Sequence, residues 1–409
     1  MRRAEVHGTP SVLQCMSTPL FAEKALEGVD ERKIPSDRKV PMVVSEPRGD
    51  VQPGSTTPPV ADAAAPDARR AHYGEFYGLD ALPNDAPLAV VSGNCQAESL
   101  RIMIDGPGLR TVRVPPVFEL VPEDLPHLSR LLGRTRYFVS QPVRDDYHGM
   151  PLGTAQLAAL LPASAEVVRM PVVRFAGLYP FHAIVRPPFD LSLVPPVVEY
   201  HDLRTVVRAW WARAGNAGDA TAGPGRFTAG QVRAVAAESI AQLQQRERYH
   251  DTVVVSDLFA SPSFDLMRTI NHPGNAVWSA AAERVRARLS LPEHAVDPGR
   301  PLLNTVHAPR ESVVIDAFGL DTEPQPHWIV DGRSIAAEEV ERAQLAWYAQ
   351  FPSVIDAALA RHRGTLETLG LLPPGSLPPG SLPPGPPAPG SALFPGLLPA
   401  DSAPPRATA

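Results

Sequence analysis

Residues 87–104, Pro-Leu-Ala-Val-Val-Ser-Gly-Asn-Cys-Gln-Ala-Glu-Ser-Leu-Arg-Ile-Met-Ile, change their hydrophobic period midway. Leu88 to Val91 is a short unbroken apolar run of the kind a buried strand carries. Ser92, Gly93 and Asn94 are turn chemistry. From Gln96 onward, Leu100, Met103 and Ile104 fall at helical spacing. A buried strand that turns at once into a helix restricts the chain to folds in which helices cover a sheet. It also puts Cys95 at a helix start, among backbone N–H groups without intrahelical partners and at the positive end of the dipole. A thiol in that position has a pKa below its free value of about 8.5, and the same N–H groups can hold a developing oxyanion. The alternative is a small buried cysteine packed behind a tight turn.

The rest of residues 83–363 continues the alternation. Thr111 to Val114 and Tyr137 to Ser140 read as strands, with a short helix over 122–132 between them. Residues 152–161 are helical and 167–175 extended. Thr228-Ala-Gly-Gln231 is a capping box that opens a helix to about Arg248. A further helix is expected over 275–289. Trp328 to Ile335 reads as a hairpin, with Asp331-Gly332 as its two-residue turn. Ser334 is then expected to cap a helix over 335–349, and a last helix ends near His362. Strands alternating with helices predict a three-layer α/β domain with a mainly parallel sheet, in which the largely helical 200–300 segment forms a cap. Ligands in such folds sit beyond the carboxyl ends of the strands. Cys95 is placed there.

Composition separates this body from the two ends. The 48 prolines cluster there. Residues 1–82 are rich in Pro, Ala, Gly and charge with little periodicity, and read as a disordered leader from which Tyr73, Phe76 and Tyr77 dock on the body. From 364 to 409 the chain reads as a disordered tail, and a Gly-Ser-Leu-Pro-Pro unit repeats within 371–390. That repeat is either a spacer or a ligand for a Pro-binding partner. The net charge of −6 argues against general affinity for nucleic acid. No apolar run of about 20 residues is present to span a membrane, and no secretory apolar stretch follows Met-Arg-Arg, so the expectation is a cytoplasmic protein. The two cysteines, Cys15 and Cys95, are too few for a disulfide framework or a Cys-rich zinc site, and no metal is expected. Lysine occurs only at positions 24, 33 and 39, so any phosphate site in the body must use Arg, His or backbone N–H.

Three further clusters carry possible chemistry. Ser140-Gln-Pro-Val-Arg-Asp-Asp-Tyr-His148 follows the third strand and offers Ser140, Gln141, Arg144, Tyr147 and His148 at its carboxyl end. Arg and backbone N–H bind phosphate, and Tyr stacks on a base. A solvated loop with an Arg–Asp pair is the alternative. Arg174 to His182 contains a Gly177–Pro180 turn that presents Tyr179 and His182, either as a packed aromatic turn or as a ligand wall. Asn271-His-Pro-Gly-Asn275 holds His272 extended, just ahead of a helix, because Pro273 follows it. A His so fixed is a candidate general base for Cys95 or for an acceptor hydroxyl, with Cys95 either the nucleophile or part of the oxyanion site; a structural histidine is the alternative.

Ser92-Gly-Asn-Cys-Gln96, the 140–147 loop, Phe175-Ala-Gly-Leu-Tyr-Pro180 and Ile270-Asn-His-Pro-Gly-Asn275 occur in that order. Together they resemble the WcbI-type polysaccharide biosynthesis enzymes, over roughly residues 86–360. That family is described as acetyltransferases of SGNH/GDSL hydrolase-like fold that bind coenzyme A. The resemblance implies that Cys95 stands where the GDSL serine sits and that His272 matches the late SGNH histidine. The SGNH pattern places an Asp three residues before that His; here Thr269 stands there, which leaves a Cys95–His272 dyad. It further implies an O-acyltransferase that uses acetyl-coenzyme A as co-substrate and a sugar hydroxyl of a surface or capsular polysaccharide precursor as acceptor. Backbone N–H of Cys95 and Gln96 and the Asn94 side chain would hold the oxyanion. Gly93, Ser140, Gln141, Arg144, Tyr147 and His148 would bind coenzyme A. An esterase or thioesterase, and a non-catalytic coenzyme A or glycan-binding protein, are the other outcomes for the same fold.

Overall fold

The computed structural model describes residues 64–82, 84–187, 189–190, 193–213 and 227–372. The chain divides into two units, residues 1–71 and 72–409. The described part of the first, residues 64–71, lies in helix α1 (Ala64–His72); everything below concerns the second.

Its first half runs α2 (Gly74–Tyr77), β1 (Leu88–Ser92), α3 (Cys95–Ile104), β2 (Arg110–Val112), α4 (Leu125–Leu132), β3 (Tyr137–Ser140), α5 (Thr154–Ala158) and β4 (Glu166–Arg169). The four strands form one wholly parallel sheet in the order β2-β1-β3-β4. Its two faces alternate along each strand, as the period of two requires. Ala89, Val91 and Val139 share a core with Leu100 and Ile104 of α3. Leu88, Val90 and Phe138 share another with Phe76 of α2 and Leu128 and Leu131 of α4. Helices therefore cover both faces, which makes this part a three-layer α/β fold. The chain leaves β1 to one side for β2 and returns past it to β3. The carboxyl ends of β1 and β3 thus flank the topological switch point, where open α/β sheets leave a crevice.

The second half adds β5 (His182–Ala183), β6 (His201–Asp202), α6 (Leu203–Arg213), α7 (Ala229–His250), β7 (Met267–Thr269), β8 (His272–Pro273), α8 (Asn275–Arg288), β9 (Val306–His307) and α9 (Ser312–Phe318). It ends with β10 (His327–Val330), β11 (Arg333–Ala336), α10 (Ala337–Gln350), α11 (Pro352–Arg361) and α12 (Arg363–Thr368). Helices α7 and α8 do not stand apart as a cap. Val232 and Leu243 of α7, and Trp278 and Val285 of α8, are buried in the same core as α3. Arg286 of α8 is 1% exposed and donates to the carbonyl oxygens of Ile104 (2.8 Å) and Pro107. A guanidinium thus sits at the negative end of α3, which complements its dipole and leaves the positive end facing the crevice.

The Thr228 capping box opens α7 with both of its reciprocal bonds. The hairpin turns at Asp331 and Gly332, whose φ values of 48° and 78° are those of a type I′ turn. Ser334 does not cap a helix. The turn sets Val330 opposite Arg333, the ladder continues through Ile329–Ser334 to Ala336, and α10 starts at Ala337.

Packed residues extend on both sides of 83–363. Phe76 is fully buried and Tyr77 donates through its hydroxyl to Asp124 Oδ1 at 2.7 Å. Leu366, Leu369, Leu371 and Leu372 are buried with α6, α10 and α11. Cys15, the rest of the leader before residue 64, and the Pro-rich tail with its repeat from 373 onward lie outside the described residues. Among the described residues, no helix is long and apolar enough to cross a membrane. Truncation of a fully buried aromatic costs about 3–5 kcal/mol. Phe76→Ala is therefore expected to lower the stability read from urea unfolding by that amount. A loss under about 1 kcal/mol would mean that α2 is not part of the packed body.

Candidate active site

The turn after β1 is held by three side chains. Asn94, extended at φ −80°, is the N-cap of α3, and its Oδ1 accepts from the Gln96 N–H at 2.9 Å. Gln141 follows β3, which pairs with β1 through Ser92 and Ser140. Its Oε1 accepts from the Asn94 N–H at 2.9 Å. A Cβ at Gly93 would overlap that Gln141 amide, so the approach requires glycine there. Gln96 is the third, at 1% exposure. Its Oε1 accepts from the Val173 N–H (2.9 Å), while its Nε2 donates to the carbonyl oxygens of Val173 and Asn271, each at 2.8 Å. Gln141 Nε2 adds a bond to Gln96 Oε1 at 3.2 Å.

This network brings the two expected catalytic residues to one place. Cys95 and His272 are the chain neighbours of Gln96 and Asn271, which are bonded across 175 residues. Cys95 is half-buried at the first position of α3. His272 lies in β8, and the Pro273 carbonyl after it accepts from Trp278 Nε1 and Arg268 Nη1, both at 3.1 Å. A narrow cleft beside the turn is lined by Val91, Gly93, Asn94, Ala97, Glu98 and Pro115.

Tyr200, which no sequence motif marks, joins this site. Its hydroxyl donates to Asn271 Oδ1 at 2.7 Å, lies 2.9 Å from Thr269 Oγ1, and reaches 3.5 Å from His272 Nε2. Burial pushes its phenol up, and the nearby Cys95 sulfur adds to this. Its ring stacks on Trp328 at 5.7 Å. The position where the SGNH pattern has an acid thus holds a neutral hydroxyl, Thr269, tied into Tyr200 and Asn271. Burial holds His272 down to about 4, and Arg268 and His307 act in the same direction. No carboxylate is among the charges bearing on it. The imidazole is neutral, able to accept a proton, and without the acid partner of a triad.

The other expected site residues divide. Ser140 is fully buried and its hydroxyl bonds the Gln141 carbonyl (2.8 Å) and Thr154 Oγ1 (3.2 Å). Gln141 belongs to the network above. Tyr147 is buried in the core beneath β3 and stacks on His148 at 4.2 Å. Arg144 and His148 are exposed on the loop. Asp146 and His148 have φ of 52° and 54°, a left-handed backbone rarely taken by residues other than glycine and concentrated at functional loops. The Gln96 N–H expected to hold an oxyanion is taken by Asn94 Oδ1, which leaves only Nδ2 of the Asn94 amide for that role. In the 174–182 turn, Tyr179 donates to the Met267 carbonyl at 2.9 Å, and His182 is buried between the Tyr179 and Trp328 rings. This is a packed aromatic turn. Among the described residues, no group of three or more His, Cys, Asp or Glu is placed to share a metal ion.

Two expectations follow from this chemistry. Gln96→Leu keeps the volume but leaves the buried Val173 N–H and two carbonyl oxygens unpaired, which should cost about 3 kcal/mol or more in urea unfolding. A neutral result would remove Gln96 as the organiser of the site. The second concerns pH. Burial holds His182, His201 and His272 down to about 4 and His362 to about 3, against an ordinary 6.5. Unfolding frees them to titrate at 6.5, so between 6.5 and 4 the unfolded chain binds more protons and stability rises with pH. Their contribution is whole above pH 6.5 and is lost as pH falls towards 4. The urea midpoint should drop steeply across that window, and a flat midpoint would contradict the burial of these rings as neutral groups.

A family model described as polysaccharide biosynthesis enzyme WcbI matches residues 88–294, a span that takes in Cys95, Tyr200 and His272. No curated protein matches the chain. Among solved structures, a match comes from one described as WcbI, a novel polysaccharide biosynthesis enzyme, in native form without a disulfide bond between coenzyme A and one of its cysteines. It is 18% identical, with a TM-score of 0.59, and the match covers 70% of this chain and 99% of that one. The fold is thus shared along almost the whole of that protein, and by the family match the chain belongs to the WcbI polysaccharide biosynthesis enzymes.

Proposed function

We propose that this enzyme transfers an acyl group, acetyl in the reading adopted here, from coenzyme A to a sugar hydroxyl during polysaccharide biosynthesis. The observation that carries the proposal is the 2.8 Å bond from Gln96 Nε2 to the Asn271 carbonyl, which ties the neighbour of a helix-start thiol to the neighbour of a neutral imidazole. A thiol and an imidazole tied through their neighbours in this way support a nucleophile–base pair of covalent catalysis. Coenzyme A as the donor is supported by the solved relative, described in connection with a disulfide between coenzyme A and a cysteine. Cys95 is the one cysteine within residues 88–294.

The residues divide the work as follows. His272 takes the proton of the Cys95 thiol, and the thiolate attacks the thioester carbonyl of acetyl-coenzyme A. The tetrahedral oxyanion is met by Asn94 Nδ2 and the positive end of α3. Collapse breaks the bond to the coenzyme A sulfur, which leaves with the proton from His272, and the acetyl group remains on Cys95. The acceptor hydroxyl then gives its proton to His272 and attacks the acyl-cysteine. An ester forms, and Cys95 leaves as thiolate and regains the proton. Tyr200, Thr269 and Asn271 keep the imidazole in place without charging it. Arg144 and His148, exposed on the strained loop after β3, face coenzyme A in this reading, and Gly93, Ser140, Gln141 and Tyr147 shape the crevice behind them.

Single-turnover cleavage of acetyl-coenzyme A, with and without sugar acceptors, tests this reading. Cys95→Ala should abolish turnover while coenzyme A still binds. His272→Ala should cost roughly 10²–10⁴-fold, and the double variant should lose no more than Cys95→Ala, because members of one catalytic unit are not additive. Loss of less than tenfold in Cys95→Ala would end the nucleophile assignment. Equal cleavage with and without every sugar would make the enzyme a thioesterase.

A further inference from the structure

A groove away from the cleft beside Cys95 has no part in the chemistry above. Its volume is about 510 Å³, within the range of ligand sites. One wall is the end of α7, where Gln244, Glu247, Arg248 and Asp251 stand at i, i+3, i+4 and i+7 and so share one face. The other wall is Arg288 at the end of α8. The segment 252–257 is the floor. Glu247 fixes it: this side chain is 4% exposed, and its carboxylate accepts from Val255 N (2.7 Å), Ser256 N (2.9 Å) and Ser256 Oγ (2.6 Å). Val253 and Val255 are buried, while Val254 between them is 51% exposed and lines the groove.

The charges of the groove cancel. Its carboxylates, Glu247, Asp251 and Asp257, stand against Arg248, Arg288 and Arg284. Arg284 Nη2 bonds Asp257 Oδ2 at 2.6 Å, and Arg288 Nη2 lies 3.2 Å from Asp251 Oδ2. With its signs balanced, the groove gives no preference to a phosphate or a carboxylate. Gln244 and Arg248 are exposed and make no hydrogen bond or ion pair among the described residues, so an amide and a guanidinium are open to a ligand. Hydroxyls on neighbouring carbons of a sugar ring pair with forked groups of this kind, and the C–H face of the ring covers an apolar patch such as Val254.

The groove also stands in line with the thiol. Ser92 pairs with Ser140, Ser140 with Arg169, and Arg169 with Thr252, which lines the groove. Thr252 thus takes a fifth place in the parallel row, and Val253 N donates to the Arg169 carbonyl at 2.9 Å. The residues after it emerge at the carboxyl edge of the sheet, as the β1–α3 turn does. Three strand spacings, about 14 Å, separate Thr252 from Ser92. A short run of sugar rings spans that distance.

We propose that this groove binds an uncharged stretch of the polysaccharide acceptor, whose reacting hydroxyl lies at Cys95. The place of that hydroxyl rests on the acyl-transfer reading; the glycan groove itself does not.

An array of bacterial polysaccharides, some neutral hexose polymers and some rich in uronic acid, tests this with the full-length chain. The neutral polymer bound most strongly is then titrated calorimetrically as a short oligosaccharide. Gln244→Ala and Arg248→Ala trim exposed side chains and leave the best helix former in their place, so the fold is kept. Gln242→Ala, on another face of α7, is the control. Each groove variant should bind the oligosaccharide about three- to tenfold more weakly, and the control as the wild type does. In acetyl transfer the groove variants should raise KM for the oligosaccharide at unchanged kcat, and change neither for a single sugar. The proposal is overturned if the wild type binds no neutral polymer, if only the uronic-acid polymers bind, if both groove variants bind as the wild type does, or if KM for the oligosaccharide stays unchanged. Cleavage of acetyl-coenzyme A is followed in parallel. Neutral glycan bound without cleavage would contradict the acyl-transfer reading and leave the groove standing, and cleavage without glycan binding would do the reverse.

Discussion

A primary amide buried at the start of a helix holds this site together. Gln96 has one acceptor and two donors, and inside the protein all are used: Val173 N–H and Gln141 Nε2 give to its oxygen, and the carbonyls of Val173 and Asn271 take from its nitrogen. An amide at this depth is stable only when fully satisfied, because each unpaired group would cost about 1–3 kcal/mol. Complete pairing turns that constraint into precision. Three segments far apart in sequence meet at one residue: the β1–α3 turn, the extension beyond β4, and the strand that carries His272. The thiol and the imidazole are on either side of that junction, so their relation is set by buried bonds rather than by loops at the surface.

The electrostatics follow from the same junction. The positive end of α3 faces the crevice, and Arg286 sits at its other end. Around His272 the structure supplies hydroxyls and cations in place of a carboxylate. A carboxylate partner would stabilise an imidazolium. With Thr269 and Tyr200 in its place, the buried ring stays neutral.

The sequence disclosed what local chemistry determines. The change of period at Gly93, the capping box at Thr228 and the Asp331-Gly332 turn each act within a few residues, and strand, helix and hairpin stand where those signals put them. Errors arose where a tertiary ladder outlasted a local signal: Ser334 carries cap chemistry but is held in β11 by Ile329. Cys95 and His272 stand out as candidates in the sequence because a thiol at a helix start and a His before Pro are each distinctive. At Gln96 the local signal concerns the backbone, while its side chain does the organising through partners 77 and 175 residues away. Tyr200 carries no local mark at all: its contacts with Thr269, Asn271 and His272 exist only once segments some 70 residues apart meet, and no spacing in the chain announces that.

The most direct measurement is rapid acid quench of the enzyme with acetyl-coenzyme A, followed by mass analysis of the peptide that contains Cys95. An acetyl group should appear on Cys95 within one turnover, be discharged when an acceptor sugar is added, and form far more slowly in both His272→Ala and Gln96→Leu. A sugar that becomes acetylated while Cys95 never carries the group, at any time and in any variant, would contradict the covalent route and leave His272 as the base of a direct transfer.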